Sequence, residues 1–145
     1  MILRDAEFCW GKPLITMVFA LFLIFLLSCD KDKGERTTSI YGRVTDQNQQ
    51  PVDSIMVEVD GMRNLDSEEL KYTYTDEDGN YELVLEVPEK YISINVLIPY
   101  LPIRNPKFQE RYKVEKIFKN GQQTSSCCIS SVGGKVQWDF ELMPQ

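Results

Sequence analysis

The chain has 145 residues, which is enough for one domain and a targeting segment. Its formal net charge at pH 7 is −6. An acidic chain lacks the clustered basic face that nucleic acids and anionic lipid surfaces attract, so we predict no nucleic-acid partner. The absence of histidine removes the commonest metal ligand and the commonest general base.

The first distinctive segment is an uncharged apolar run at residues 14–27 (LITMVFALFLIFLL). It is shorter than the ~20 residues that a membrane-spanning helix requires, but it fits the hydrophobic region of a secretory signal peptide. It ends in Leu26–Cys29 (LLSC), which resembles a bacterial lipobox, where the signal is cut before a cysteine that carries lipid. We therefore predict a lipoprotein signal peptide at residues 1–28, palmitate on Cys29 and membrane attachment through this residue. An ordinary signal-anchor helix is the alternative.

Residues 29–38 combine the lipidated cysteine with a charged stretch, DKDKGERTT, that contains no apolar side chain. This composition predicts a flexible tether that holds the domain at residues 39–145 away from the bilayer. The expected location is the cell envelope, with the anchor in the outer membrane. The sequence leaves open whether the domain faces the periplasm or the cell surface.

Beyond the tether, apolar and polar residues alternate in short runs, which is the pattern of half-buried β-strands. The runs lie at residues 40–45, 52–59, 71–75, 81–87, 92–98, 112–118 and 136–142. The run at 92–98 has the richest apolar face and predicts a central strand. An Asp-Gly pair within 76–80 predicts a hairpin turn. About seven short strands separated by turn signals predict an all-β sandwich.

Three connecting segments break the alternation. We predict a loop at residues 60–70, with one helical turn at 66–69. Three prolines exclude a central strand at 99–106. A polar, Ser- and Gly-rich loop is expected at 120–134.

Three motifs occur in order along the first half of the domain: Gly42–Asp46 (GRVTD), Pro51-Val52, and Thr75–Tyr81 (TDEDGNY). Together they resemble the carboxypeptidase regulatory-like domain. The resemblance implies a transthyretin-like, or prealbumin-like, β-sandwich of about seven strands. It also implies a folding, docking or binding module and not a catalytic domain.

This resemblance covers roughly Ser39–Ile98, with Val136–Leu142 as a closing strand. Gln49 stands where the family often has glycine, and Pro99–Gly134 is longer and less regular than usual. A vaguer similarity to small bacteroidete lipoproteins encoded near radical-SAM enzymes implies an accessory role.

Cys127 and Cys128 are the remaining thiols once Cys9 leaves with the signal and Cys29 carries lipid. On a strand, adjacent side chains point to opposite faces, so one cysteine could be buried and the other exposed. Export places the pair in an oxidising compartment, where a vicinal disulfide, an intermolecular bridge and an inert buried pair are alternatives. A redox role would favour a C-x-x-C spacing, which the pair lacks.

Other candidate sites are weaker. Asp76–Asn80 superficially resembles a calcium loop, but its glycine is fourth where an EF-hand has it sixth, so a solvated turn fits better. Tyr100–Ile103 either forms an exposed apolar rim or covers the end of the sandwich. Tyr72, Tyr74 and Trp138 either stack on sugars or pack within the sheets. We predict no metal site and no cofactor.

The sequence contains no nucleophile elbow, phosphate-binding glycine loop or histidine cluster. Its carboxylates lie on polar strand faces and turns, where solubility explains them. We therefore predict that the protein is not an enzyme but an interaction or docking module for another envelope protein. The alternatives are binding of a ligand or glycan by the 99–134 loops, and an accessory role in a radical-SAM or redox system through Cys127 and Cys128.

Overall fold

The computed structural model describes residues 35–145, all of which belong to one unit, Gly34–Gln145. The described residues form nine β-strands and one short α-helix. The strands are β1 (Thr37–Asp46), β2 (Met56–Arg63), β3 (Asp66–Tyr74), β4 (Asn80–Glu86), β5 (Ser93–Leu97), β6 (Tyr112–Lys119), β7 (Gln122–Thr124), β8 (Ile129–Ser131) and β9 (Gly134–Pro144). The helix, α1, is Pro106–Arg111.

The strands form a five-stranded sheet with the order β4-β1-β9-β6-β7 and a four-stranded sheet with the order β3-β2-β5-β8. Strand neighbours are antiparallel except β1 and β9, which run parallel with Thr38 opposite Gly134 and Asp46 opposite Leu142. The predicted all-β sandwich is therefore confirmed. Seven of the strands have five or more residues, whereas β7 and β8 have three each.

The core lies between the two sheets, because each strand turns alternate apolar side chains towards the other sheet. The alternation predicted for residues 81–87 and 136–142 is present: Leu85 is half-buried, and the other inward side chains are buried, namely Tyr81, Leu83, Val87, Val136, Trp138, Phe140 and Leu142. Each fully buried side chain of this size contributes roughly 1.5–3 kcal/mol. As predicted, β5 lies inside its sheet, but Ile92 precedes the strand and is 73% exposed.

The predicted loop at residues 60–70 is wrong. β2 continues to Arg63, and β3 begins at Asp66 after a turn in which Asn64 has a left-handed backbone (φ 56°). β3 is an edge strand, and its first four residues are exposed. Charged residues therefore replace the apolar alternation, and the predicted helical turn at 66–69 belongs to the strand.

Other boundaries differ from the pattern for identifiable reasons. β2 begins at Met56 and not at Val52. Pro51 and Val52 belong to the connection before the strand, in which Pro51 forms an isolated β-bridge with Thr45. A β-bulge between Val114 and Lys116 breaks the alternation of β6. The predicted polar loop at 120–134 contains two short strands. β7 forms a hairpin with β6, and β8 pairs with β5.

The first strand begins at Thr37, two residues before the predicted domain boundary. Arg36 is also fixed to the domain: its Nε donates to the Val87 carbonyl at 2.8 Å, and its Nη2 donates to the Tyr91 carbonyl at 2.7 Å. Cys29 and the predicted signal peptide lie outside the described residues. Between residues 35 and 145, the only helix is too short and too polar to cross a membrane.

Candidate functional site

An exposed aromatic surface lies on the outer face of the four-stranded sheet, at the β3 edge. Tyr72 and Tyr74 on β3 are each 45% exposed, with ring centroids 6.0 Å apart and planes at 88°. The Tyr74 hydroxyl donates to the Arg104 carbonyl at 2.8 Å, and Ile103 beside it is 94% exposed. We call Tyr72, Tyr74, Ile103 and Arg104 the tyrosine patch.

The Arg104 guanidinium joins the patch to its acidic neighbours. Its carbon lies 4.3 Å from the centre of the Tyr72 ring, which is a cation–π arrangement. Its two terminal nitrogens donate to the Glu69 carboxylate at 2.6 and 3.1 Å. This ion pair lowers the pKa of Glu69. The forked contact fixes the guanidinium plane more firmly than a single contact would.

The segment that carries Ile103 and Arg104 is anchored by Asn105, which is fully buried. The Asn105 Oδ1 accepts from the Met56 amide at 3.1 Å, and its Nδ2 donates to the Met56 and Pro99 carbonyls at 3.3 and 3.1 Å. Phe108 of α1 is buried in the core. These contacts hold the segment against β2, so Ile103 and Arg104 are presented by a fixed loop.

Three carboxyl groups meet beside the patch. Glu58 and Asp60 share the outer face of β2, and Glu69 lies opposite Asp60 on β3. A bulge between the Val59 and Asp60 pairings brings Glu69 to this position, which Leu70 would otherwise occupy. We call Glu58, Asp60 and Glu69 the acidic cluster.

Glu58 is only 8% exposed. Its carboxyl group contacts those of Asp60 and Glu69. Burial, followed by the contact with Asp60, raises the pKa of Glu58 to about 7. The buried oxygens Glu58 Oε2 and Asp60 Oδ1 have no hydrogen-bond partner among the described residues. The sequence prediction that carboxylates on strand faces serve solubility is therefore wrong for Glu58.

A second concave region crosses the outer face of the five-stranded sheet. A cleft of about 630 Å³ adjoins one of about 320 Å³, and Arg43, Gln137 and Asp139 line both. The Asp139 carboxylate accepts from the Arg43 amide at 2.8 Å and from the Gln137 side chain at 2.7 Å. Burial raises the pKa of Asp139. None of the residues lining the larger cleft comes from the 99–134 loops.

The structure joins Cys127 and Cys128 in a vicinal disulfide. Cys127 is exposed, and Cys128 is buried in the core directly before β8. The nearby Trp138 is also buried, and its Nε1 donates to the Ser130 hydroxyl at 3.1 Å. Trp138 is therefore part of the core and has no free face for a sugar.

The Asp76–Asn80 turn uses its first carboxylate internally. Asp76 Oδ1 accepts from the amides of Asp78 and Asn80 at 3.0 and 2.8 Å. These are the contacts of a hairpin turn in which aspartate caps its own backbone. Across residues 35–145, no three Cys, Asp or Glu side chains are grouped as metal ligands.

Comparison with known proteins identifies no family. No protein-family model matches the chain, and no curated protein matches it. Among solved structures, a Streptococcal ancillary pilin is similar over 74% of this chain and 32% of its own, at 12% identity and a TM-score of 0.41. The dioxygenase domain of a carbohydrate-binding fusion from Streptomyces sp. SirexAA-E is similar over 78% and 82%, at 12% identity and a TM-score of 0.36.

A 9R-lipoxygenase from Cyanothece PCC8801 is similar over 74% of this chain and 16% of its own, at 16% identity and a TM-score of 0.35. This chain thus spans about a third of the pilin and a sixth of the lipoxygenase. Likenesses this distant carry no inference about function.

Proposed function

We propose that this protein is a non-catalytic, lipid-anchored module of the cell envelope that docks another envelope protein through the tyrosine patch. The proposal keeps the predicted anchor at Cys29 and the resemblance to carboxypeptidase regulatory-like, transthyretin-like domains. The observation that supports it best is the exposure of Tyr72 and Tyr74 beside an ordered arginine.

Tyrosine and arginine are among the residue types that most often dominate the binding energy of protein interfaces. Tyrosine buries a large area at a small entropic cost, whereas arginine gains from being ordered before it binds. In the tyrosine patch both types are already ordered by contacts within the domain. A partner would therefore pay little entropy to order them on docking. Ile103 adds an apolar side chain that is almost fully exposed.

The patch suits a protein better than a sugar. The two tyrosine planes are nearly perpendicular, so the rings do not form one flat platform. The Arg104 guanidinium also occupies one face of Tyr72. Both features reduce the area available for stacking a sugar ring, whereas a protein surface can fit an uneven patch.

Photo-crosslinking in membranes tests this proposal. A photoreactive phenylalanine replaces Ile103 in the full-length protein, and the crosslink to an envelope protein is measured with and without Tyr72→Ala/Tyr74→Ala. Loss of a tyrosine anchor costs on the order of 2 kcal/mol, so we expect at least about thirtyfold weaker crosslinking.

Val84→Ala is the matched control, because Val84 is 48% exposed on β4 of the other sheet. Circular dichroism verifies that each variant is folded. A double alanine variant that is folded and crosslinks like the wild type would exclude docking through the patch.

Binding of a small polar ligand in the large cleft is a second candidate function. Arg43 and Lys135 supply positive charge to this cleft, and Asp139 supplies a half-buried carboxylate. Calorimetry of the wild type and Asp139→Asn against a panel of amino acids, peptides and glycans tests this candidate. Absence of any heat that depends on Asp139 would dismiss it.

A further inference from the structure

The acidic cluster has fewer positive charges than carboxyl groups. Its three carboxyl groups face a single guanidinium, that of Arg104, which is bound to Glu69. Glu58 Oε2 and Asp60 Oδ1 are buried, and no N–H or hydroxyl donor of the described residues bonds to either atom, so only the proton on Glu58 can lie between the two carboxyl groups. Buried polar atoms normally have a partner, and an unpaired buried carboxylate is costly, so these two oxygens mark a site that a ligand could complete.

Two observations define the chemistry of that ligand. The cluster already binds one guanidinium, which stacks on Tyr72 and forks onto Glu69. Both Glu69 oxygens already accept from Arg104, so only the carboxyl groups of Glu58 and Asp60 remain for an added cation. A planar cation with several N–H donors matches a pair of carboxyl groups better than a point charge does.

We propose that Glu58 and Asp60 form a binding site for a guanidinium group, supplied by an arginine side chain of the docked partner protein. This inference rests on the proposed docking function and specifies which chemical group of the partner the docking surface recognises. The net charge of −6 favours a partner whose contact surface is basic.

The position of the pair suits an arginine that enters from the tyrosine patch. Tyr72, which belongs to the patch, lies directly opposite Glu58 across the β2–β3 ladder. Asp60 lies on the far side of Glu58 from the patch and is half-buried, so it is the more accessible member of the pair. The tyrosine patch would exclude water around the ion pair, which strengthens it.

Guanidinium binding should depend on pH, because the cation binds the ionised pair and competes with the proton on Glu58. Arg104, Asp60 and Glu69 are the charged groups in contact with that carboxyl group. With a pKa of about 7, Glu58 is mostly protonated at pH 6 and mostly ionised at pH 8. We therefore expect about tenfold tighter binding at pH 8 than at pH 6.

Titration of the full-length protein with ethylguanidinium, followed by NMR of its backbone amides, tests the site directly. We expect saturable shifts in β2 and β3, and at least about tenfold weaker binding in Glu58→Gln/Asp60→Asn. Glu77→Gln/Asp78→Asn is the matched control, since it removes one Glu and one Asp charge from an exposed turn. Ethylurea, which has a similar shape but no charge, should not bind.

Three results would overturn the inference. The first is the absence of saturable ethylguanidinium binding. The second is equal binding to the wild type and Glu58→Gln/Asp60→Asn. The third is displacement of ethylguanidinium by lower concentrations of calcium, which would make the cluster a metal site.

The membrane crosslink separates this inference from the proposed docking function. A crosslink weakened both by Tyr72→Ala/Tyr74→Ala and by Glu58→Gln/Asp60→Asn supports both proposals. A crosslink weakened only by the tyrosine variant keeps docking and rejects the guanidinium site. A crosslink that survives both variants rejects docking at this face.

Discussion

Glu58 is buried on an interior strand of its sheet, where a carboxylate is rare unless it is paired. Burial and the neighbouring Asp60 both favour its protonated form. The domain therefore takes up a proton at this residue near neutral pH. Titration of this residue should be visible in the stability of the whole fold.

The pKa of Glu58 is about 7 in the folded protein and 4.5 as its ordinary value, so the protonated form is stabilised by folding. That contribution is fully present below pH 4.5 and is lost as the pH rises through 7. We expect the free energy of unfolding to fall by on the order of 2 kcal/mol between pH 5 and pH 8. Glu58→Gln should abolish most of this fall.

Urea unfolding at both pH values measures the effect, with Glu77→Gln as the exposed control. The assigned pKa would be wrong if Glu58→Gln and the wild type lost the same free energy over this range.

Among the elements, β1 and β9 come especially close together at Gly42. A Cβ atom added to Gly42 would lie 1.8 Å from the Trp138 carbonyl oxygen and 2.7 Å from its carbonyl carbon. The Tyr81 hydroxyl also donates to this carbonyl, at 2.6 Å. Only glycine allows the two backbones to come this close.

Gly42→Ala should therefore force β1 and β9 apart and destabilise the domain by more than about 3 kcal/mol. Gly121→Ala provides the comparison: a Cβ there meets nothing within 4 Å, and only its positive φ of 78° opposes the change. We expect that variant to lose about 1 kcal/mol. Thermal unfolding ranks the two, and similar melting temperatures would disprove the role of the close contact.

The same elements show what the sequence could predict. β9 was predictable because one face is buried, so Trp138 and Phe140 alternate with polar residues. β3 was missed because an exposed edge strand has no reason to alternate at Asp66–Glu69. The burial of Glu58 was not predictable either, because the side chains around it come from other strands and from the segment that Asn105 fixes. The sequence next to Glu58 contains no pattern from which those contacts could be predicted.

For the whole molecule, the decisive question is attachment to the membrane. We predict that Cys29 carries the lipid, so Cys29→Ser should abolish incorporation of radiolabelled palmitate. Two or three acyl chains at ~0.8 kcal/mol per buried CH₂ give a stable anchor.

Cys128→Ser is the control for the labelling, because Cys128 is buried inside the domain and should not accept lipid. Palmitate that still enters Cys29→Ser would show that another residue carries the lipid.

The parallel pairing of β1 with β9 has a consequence for biogenesis. Residue 38 pairs with residue 134, so the middle of the larger sheet stays open until almost the whole domain has been synthesised. Contacts between residues so far apart in sequence form slowly. Until β9 has paired, the edges of β1 and β6 that it will cover have no neighbouring strand. Unpaired strand edges promote aggregation, so a chaperone that covers them would protect the protein at this stage.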